Sequence, residues 1–427
     1  MEERMTAKNG IEIYSYKNPA LHGFSISLFL RAGLMYEQAE EQGITHFLEH
    51  VLIRNINKQK GGKLYATLDK HGVEFNAATY SEMVQFYTHG ASANFSVGAD
   101  VIASFFNPII LNASEIATER KRIKAEIRES DEKNSMASFS AAQVYADTSL
   151  AGSITGTNKS VDRITLTKLE EYRKRVFIKE NLFIYVTGSF DDSDLSHLCD
   201  IVGSIELCEA RTESDIHANI APVSRYFGNR DAMISIKNAD YTSLRFTFDM
   251  DMASVDDNAA DMLYDMLLSG YSSPFFIEMS EERGLFYDTS GAVEKFKNVG
   301  NFYFGYEVKE RDVYDAAAIT VDILNDYAKN LRPPSEIIKA GYVDNALLLY
   351  DDMREFNFTM AYDNHIMDAG YKTLEDRIAA YRALTPERIR DTARALFRPE
   401  NLTLTIKGSK KRIDIDRLKK IVNKLGE

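Results

Sequence analysis

The chemistry this sequence can do is concentrated in five residues, His46-Phe47-Leu48-Glu49-His50. On an α-helix, side chains four positions apart share a face, so His46 and His50 direct two imidazoles at one point. Imidazole is a preferred zinc ligand, and two rings bound at about 2.0–2.1 Å leave two tetrahedral positions for other groups. Glu49 stands beside the same point, where a carboxylate can take a proton from metal-bound water. Two histidines so spaced also arise on amphipathic helices that do nothing, so the pair needs support from elsewhere in the chain.

That support is a third ligand. Glu126 lies inside a second strongly helical run, residues 115–131, and Glu119 sits seven residues earlier, two turns up the same face. The run is rich in charge, and for either glutamate alone a solvated helix face is the ordinary reading. Asn112-Ala113-Ser114-Glu115 has the spacing of a capping box and marks where this helix starts.

The order H-x-x-E-H inverts the commoner H-E-x-x-H zinc-protease helix and defines the inverzincins. Taken together, the chain resembles the pitrilysin/insulinase family, which includes the mitochondrial processing peptidases and short two-domain bacterial members. The resemblance rests on HFLEH (46–50), Ala125-Glu126-Ile127, Asn76-Ala77-Ala78-Thr79, and Glu281-Glu282-Arg283-Gly284-Leu285-Phe286-Tyr287. It implies a zinc metalloendopeptidase that cleaves peptides or peptide precursors in an enclosed chamber. His46, His50 and Glu126 would hold one zinc per chain, Glu49 would act as general base and Glu119 would support the site. Asn76, Ala77, Ala78 and Thr79 would form an exposed edge to which substrate adds as an extra strand. From the residues alone, an ordinary antiparallel hairpin fits 76–79 equally well.

One position departs from the family. Catalytically complete members carry an arginine seven residues before a tyrosine in the second half, and that pair helps bind substrate. Here Tyr287 is present but the arginine position is Ser280, and a serine cannot replace a guanidinium. Tyr287 is read either as a functional hydroxyl or as a buried aromatic. The expectation is a dimer, with a heterodimer formed if a homologous subunit lacking the zinc motif supplies the arginine. Two rivals stay open: a degenerate, partner-dependent peptide-binding subunit, and a metal-dependent hydrolase acting on other bonds.

Composition narrows the classes. The 427 residues exceed what one hydrophobic core usually supports, and 44% hydrophobic with 27% charged is ordinary for a globular protein. The net charge of −13 argues against nucleic acid and against anionic membrane surfaces as partners. Cys199 and Cys208, the two cysteines, give no disulfide framework and read as small buried hydrophobes. The first residues, Met1-Glu2-Glu3-Arg4, do not resemble a signal peptide, and no apolar run reaches the roughly 20 residues that would cross a bilayer. A cytoplasmic protein without membrane insertion is expected.

The elements that must position the site follow from periodicity. Phe24, Ile26, Leu28 and Leu30 alternate as one buried face of a strand, and Phe47, Leu48, Val51 and Leu52 form the packing side of the histidine helix. Residues 165–189 align without a gap on 385–409 at an offset of 220, and the same offset sets Phe24 to Leu30 against Leu244 to Met250. Two homologous domains are expected: 1–208 with the zinc site, a linker 209–230 containing Pro222, and 231–427 without it. Under this shift His46, Glu49 and His50 fall on Met266, Ser269 and Gly270, which cannot repeat the site. The fold class is α+β, each domain a sheet with helices on one face; the resemblance adds that the two domains form half of a clamshell.

Overall fold

Alternation in the strand Gly23–Leu30 (β3) places Phe24, Ile26, Leu28 and Leu30 on one face, and each is at most 1% exposed. Around it the computed structural model, which describes residues 2–130, 135–146, 148–217, 230–235, 240–297, 299–333, 335–371 and 373–427, builds a six-stranded sheet. Its strands are β1 (Glu3–Thr6), β2 (Glu12–Lys17), β3, β4 (Glu74–Thr79), β5 (Val84–Ala91) and β6 (Leu182–Gly188). They lie in the order β1-β2-β6-β3-β5-β4, antiparallel except for β2 with β6. The helix Ile44–Gln59 packs Phe47, Leu48, Val51 and Leu52 into the core of this sheet. Burying one such side chain stabilises by about 1.5–3 kcal/mol, which pins the face of the helix that is not histidine.

The second sheet repeats the first. Its strands β7 (Arg230–Ser235), β8 (Tyr241–Met250), β9 (Thr289–Lys295), β10 (Gly300–Lys309) and β11 (Leu402–Gly408) run β7-β11-β8-β10-β9. Among the described residues only the extra edge β1 lacks a counterpart. The offset of 220 is kept where no gap intervenes: Leu166–Val176 and Leu182–Gly188 recur as Pro386–Leu396 and Leu402–Gly408. It fails at the helix that matters. Ile44–Gln59 begins fourteen residues after β3, whereas Asp257–Leu268 begins seven after β8. Helix position for helix position, His46, Glu49 and His50 therefore face Ala259, Met262 and Leu263, not Met266, Ser269 and Gly270. All three are fully buried apolar residues, so this helix has no metal donors at those places.

The compact units do not follow a single cut at 209–230. One consists of 1–131, 152–222 and 346–374, the other of 132–151, 223–345 and 375–427. Each unit thus takes a segment from the other half of the sequence, and each segment covers the second face of a sheet. In the first unit Asn357, on the helix Met353–Ala361, donates to the carbonyls of Ser25 (3.3 Å) and Tyr185 (2.9 Å). His365 stacks on Tyr14 with ring centroids 3.7 Å apart. In the second unit, the helix Met136–Val144 brings Ser140 within 3.4 Å of Thr247, and Tyr145 donates to Glu294 at 3.0 Å. The expected helix layer on one face is present in each unit, with this extra helix opposite it.

Residues 218–229, including Pro222, lie outside the described residues, but 209–217 does not behave as a loose linker. His217 is buried against Tyr36 with ring centroids 4.0 Å apart, and its backbone N–H donates to Asn181 at 2.7 Å. Both cysteines are free, and both are half-buried rather than fully buried. Among the described residues no helix is long and apolar enough to cross a membrane.

Candidate metal centre

Two helices build the site, the histidine helix Ile44–Gln59 and the glutamate helix Ala113–Glu129. The second starts at the expected capping box: the Asn112 side chain accepts from the Glu115 N–H at 3.0 Å, and Glu115 accepts from the Asn112 N–H at 2.8 Å. Ion pairs then climb between the helices. Lys58 meets Glu115 at 2.6 Å, Arg54 meets Glu119 at 2.5 Å, His50 faces both Glu119 and Glu126, and His46 faces Glu126. Numbers fall by four along one helix as they rise along the other, so the pair is antiparallel and the i, i+4 stripe is its seam. Arg54 and Lys58 escaped the sequence reading although they continue the stripe His46, His50, which was the signal available.

His46 Nε2 lies 3.6 Å from Glu126 Oε1, and His50 Nε2 lies 3.7 Å from Glu126 Oε2. One donor atom from each of the three falls within 4.8 Å of the other two. Tetrahedral ligands at zinc's bond lengths stand about 3.3–3.4 Å apart, so this donor set fits a zinc ion once its side chains draw in by up to about an ångström. Among the described residues no other three such side chains converge in this way.

Protonation states suit the same use. Burial, with a smaller contribution from His50, holds the His46 imidazole down to a pKa of about 3, so it is neutral at physiological pH. His50 turns Nδ1 toward Glu119 Oε2 at 3.6 Å. The carboxylate selects the tautomer with the proton on Nδ1, leaving the Nε2 lone pair for the shared point. Burial by itself would raise the Glu119 carboxyl, but His50, Arg54 and Arg122 together keep it below the usual range and therefore charged.

Glu49 is buried, and burial raises its carboxyl above the ordinary value, opposed by a hydrogen bond from Thr79. The Thr79 hydroxyl donates to Glu49 Oε2 at 2.5 Å. Thr79 is the last residue of β4, which among the described residues pairs with β5 alone and so is the outer edge of its sheet. An edge strand leaves alternate N–H and C=O groups unpaired. Asn76, Ala77 and Ala78 belong to this strand, and none of the four is buried. One side chain thus links the candidate base to the candidate substrate strand.

The start of the histidine helix has a support no motif announced. Gly43 occupies the N-cap with φ 85°, and a Cβ there would meet the Thr155 carbonyl oxygen at 2.8 Å. Glycine brings no capping side chain, and Glu37 supplies one from six residues upstream. Its carboxylate accepts from the N–H of Gly43 at 2.8 Å and of Thr45 at 2.9 Å. Thr45 is also held by the Tyr172 hydroxyl at 2.6 Å. Burial pushes the Glu37 carboxyl up to about 7 despite these two N–H donors.

A carboxyl raised on folding keeps a proton that the unfolded chain releases. Its contribution to stability is full below about pH 4.5 and is lost as pH rises to about 7. Glu37→Gln is expected to flatten this decline, seen as a smaller drop in thermal midpoint between pH 5 and pH 8 than in wild type. Having one acceptor oxygen in place of two, it should also be less stable at pH 5 by about 1 kcal/mol. An unchanged pH dependence would remove Glu37 as a titrating cap.

The residues expected to matter in the second half lie in the other unit. Tyr287 is 97% exposed, so it is not a buried aromatic. Together with Ser280 it lines a cavity of about 770 Å³. The Ser280 hydroxyl donates to the Phe286 carbonyl at 3.0 Å. Arg283 is taken up by the Glu278 carbonyl and by Glu282.

Comparison with known proteins finds relatives described as zinc proteases. The uncharacterized zinc protease YmxG of Bacillus subtilis is 22% identical over 410 residues, covering 93% of this chain and 96% of its own. An uncharacterized zinc protease of Rickettsia felis is 26% identical over 302 residues, 69% of this chain and 70% of its own. Among solved structures, a protease from Helicobacter pylori superposes with a TM-score of 0.79 at 17% identity, covering 96% of this chain and 99% of its own. A peptidase M16 inactive domain from Pseudomonas fluorescens gives 0.80 at 16% identity, covering 96% and 98%. Residues 13–158 match the family described as insulinase (peptidase family M16), and 163–340 match the peptidase M16 inactive domain. With well over half of its 427 residues so matched, the chain belongs to the insulinase family of peptidases, M16.

Proposed function

We propose that the chain is a zinc-dependent endopeptidase acting on peptides or peptide precursors. The observation that carries the reading is the complete set: His46, His50 and Glu126 converge on one point, and Glu49 stands on the same helix. Bound zinc supplies Lewis-acid polarisation of a carbonyl and makes water nucleophilic near neutral pH. The His46 imidazole reaches it neutral, and Glu119 orients His50. Glu49 takes the proton of the attacking water and passes it to the leaving amine, and its raised pKa brings it closer to neutrality for both roles. Thr79 aims that carboxylate, so a peptide added along β4 ends its pairing beside the base.

A second reading is partner dependence. The segment 275–287 presents Tyr287 but no guanidinium at position 280, and its one arginine is engaged locally. A homologous subunit would supply the missing charge and close a chamber that restricts substrates to short or unfolded chains. The test assays zinc-loaded protein on peptide mixtures, alone and with a homologous subunit lacking the zinc motif, while its size in solution is followed. Cleavage that appears or rises at least tenfold on mixing, together with a larger complex, supports partner dependence. Full activity without the partner, unchanged in Tyr287→Phe, would refute both the partner requirement and a role for Tyr287.

A further inference from the structure

The stripe that carries the two histidines continues past them. Beyond His50 it presents Arg54 and Lys58, and between the two helices opens a cavity of about 970 Å³ that begins at His50 and Glu126. The glutamate helix lines it back to Glu115, a run of roughly 16 Å, which is room for about five residues of extended chain. Tyr65, half exposed, stands along the same cavity.

Three cations, Arg54, Lys58 and Arg122, and three carboxylates, Glu115, Glu119 and Glu126, line this groove. Glu115 is taken by Lys58 at 2.6 Å and Glu119 by Arg54 at 2.5 Å. Arg122 reaches only the other oxygen of Glu119, 3.5 Å away, and His50 faces that oxygen too. The Arg122 side chain is 68% exposed. A bound metal would take the Glu126 carboxylate and leave three cations against the two remaining carboxylates of the lining. With the metal bound, a chain of net charge −13 would thus carry a locally positive groove next to its candidate reaction centre. A guanidinium engaged on one side only offers a planar pair of donors that matches a carboxylate.

We propose that this groove is a substrate subsite for a carboxylate, either an acidic side chain or the C-terminal carboxylate of the peptide, with Arg122 as its specificity-determining residue. The proposal rests on the peptidase reading and names a preference within it. It runs against the basic substrate that the acidic surface would suggest.

Binding is best measured apart from turnover, by calorimetry on zinc-loaded Glu49→Gln. The probes are decapeptides with glutamate or glutamine scanned through each position, each as free acid and as C-terminal amide. One glutamate position, or the free acid over the amide, should bind about tenfold tighter than its neutral counterpart at low salt and less so at high salt. Dependence on position identifies a side chain, and dependence on amidation identifies the terminus. In the Arg122→Gln background the preference should fall below twofold, in Arg122→Lys it should be partly kept, and in Arg122→Glu it should reverse. With Glu49 intact, the same substitutions should change the ratio of kcat/KM for acidic over neutral peptides by the same factors, whatever they do to turnover itself through Glu119. A preference that is absent, or that survives unchanged in Arg122→Glu, overturns the subsite. Peptides cleaved with no carboxylate preference would refute the subsite and leave the peptidase reading intact. Peptides bound with that preference but never cleaved would do the opposite.

Discussion

Glu49→Gln is expected to keep zinc at wild-type occupancy and to lose peptide hydrolysis by about 10²–10⁴-fold, the range general acid–base groups contribute. The amide preserves shape and can still receive the Thr79 hydroxyl, so the helix and the metal donors should stay in place. It cannot accept a proton from water. Removing a buried group whose pKa is raised by its surroundings also relieves desolvation, so thermal stability should hold or rise slightly. Metal analysis and turnover are measured on one preparation. Near-normal turnover would sink the assigned role, and loss of zinc would make Glu49 part of the metal site itself.

Replacing a donor should have the opposite signature. His46→Ala, His50→Ala and Glu126→Ala each remove one of three protein ligands and should weaken zinc binding by more than the 10–100-fold that outer partners contribute. Glu119→Gln should fall within that outer range, because it loosens His50 without removing a donor. His50→Ala carries a further effect. It leaves Glu119, which is 1% exposed, with Arg54 and Arg122 as its remaining charged partners, so Glu119 should tolerate the loss and the helix pair should stay folded. Zinc competition against a chelator of known affinity ranks the four variants. Equal affinity in Glu126→Ala and wild type would remove Glu126 from the donor set.

The parts legible in the sequence are those fixed by local spacing. His46 and His50 share a face because helices repeat every 3.6 residues, and the Asn112–Glu115 box marks a helix start for the same local reason. The gapless repeat carried β6 onto β11 without error and kept the alternation from β3 to β8, but there the pairing shifts by two residues: Leu30 lies opposite Leu182, whereas Phe248 rather than Met250 lies opposite Leu402. Where chain length between elements changes, as before Asp257–Leu268, a fixed offset names the wrong residues. The helices Met136–Val144 and Met353–Ala361 each cover a sheet distant in sequence, and periodicity carries no address for such a partner. The hidden cap is similar. Glu37 reads as one more charge in the acidic approach 37–43, and only burial against two N–H groups separates it from Glu40 or Glu41.

The most direct test of the central claim is a zinc titration of metal-free protein, with the proposed partner present if one proves necessary, followed by peptide hydrolysis. The account predicts that activity is absent without zinc, rises linearly and breaks sharply at one equivalent per chain, with no such rise in His50→Ala. Hydrolysis that persists in the metal-free protein, or that keeps rising well past one equivalent, would contradict it.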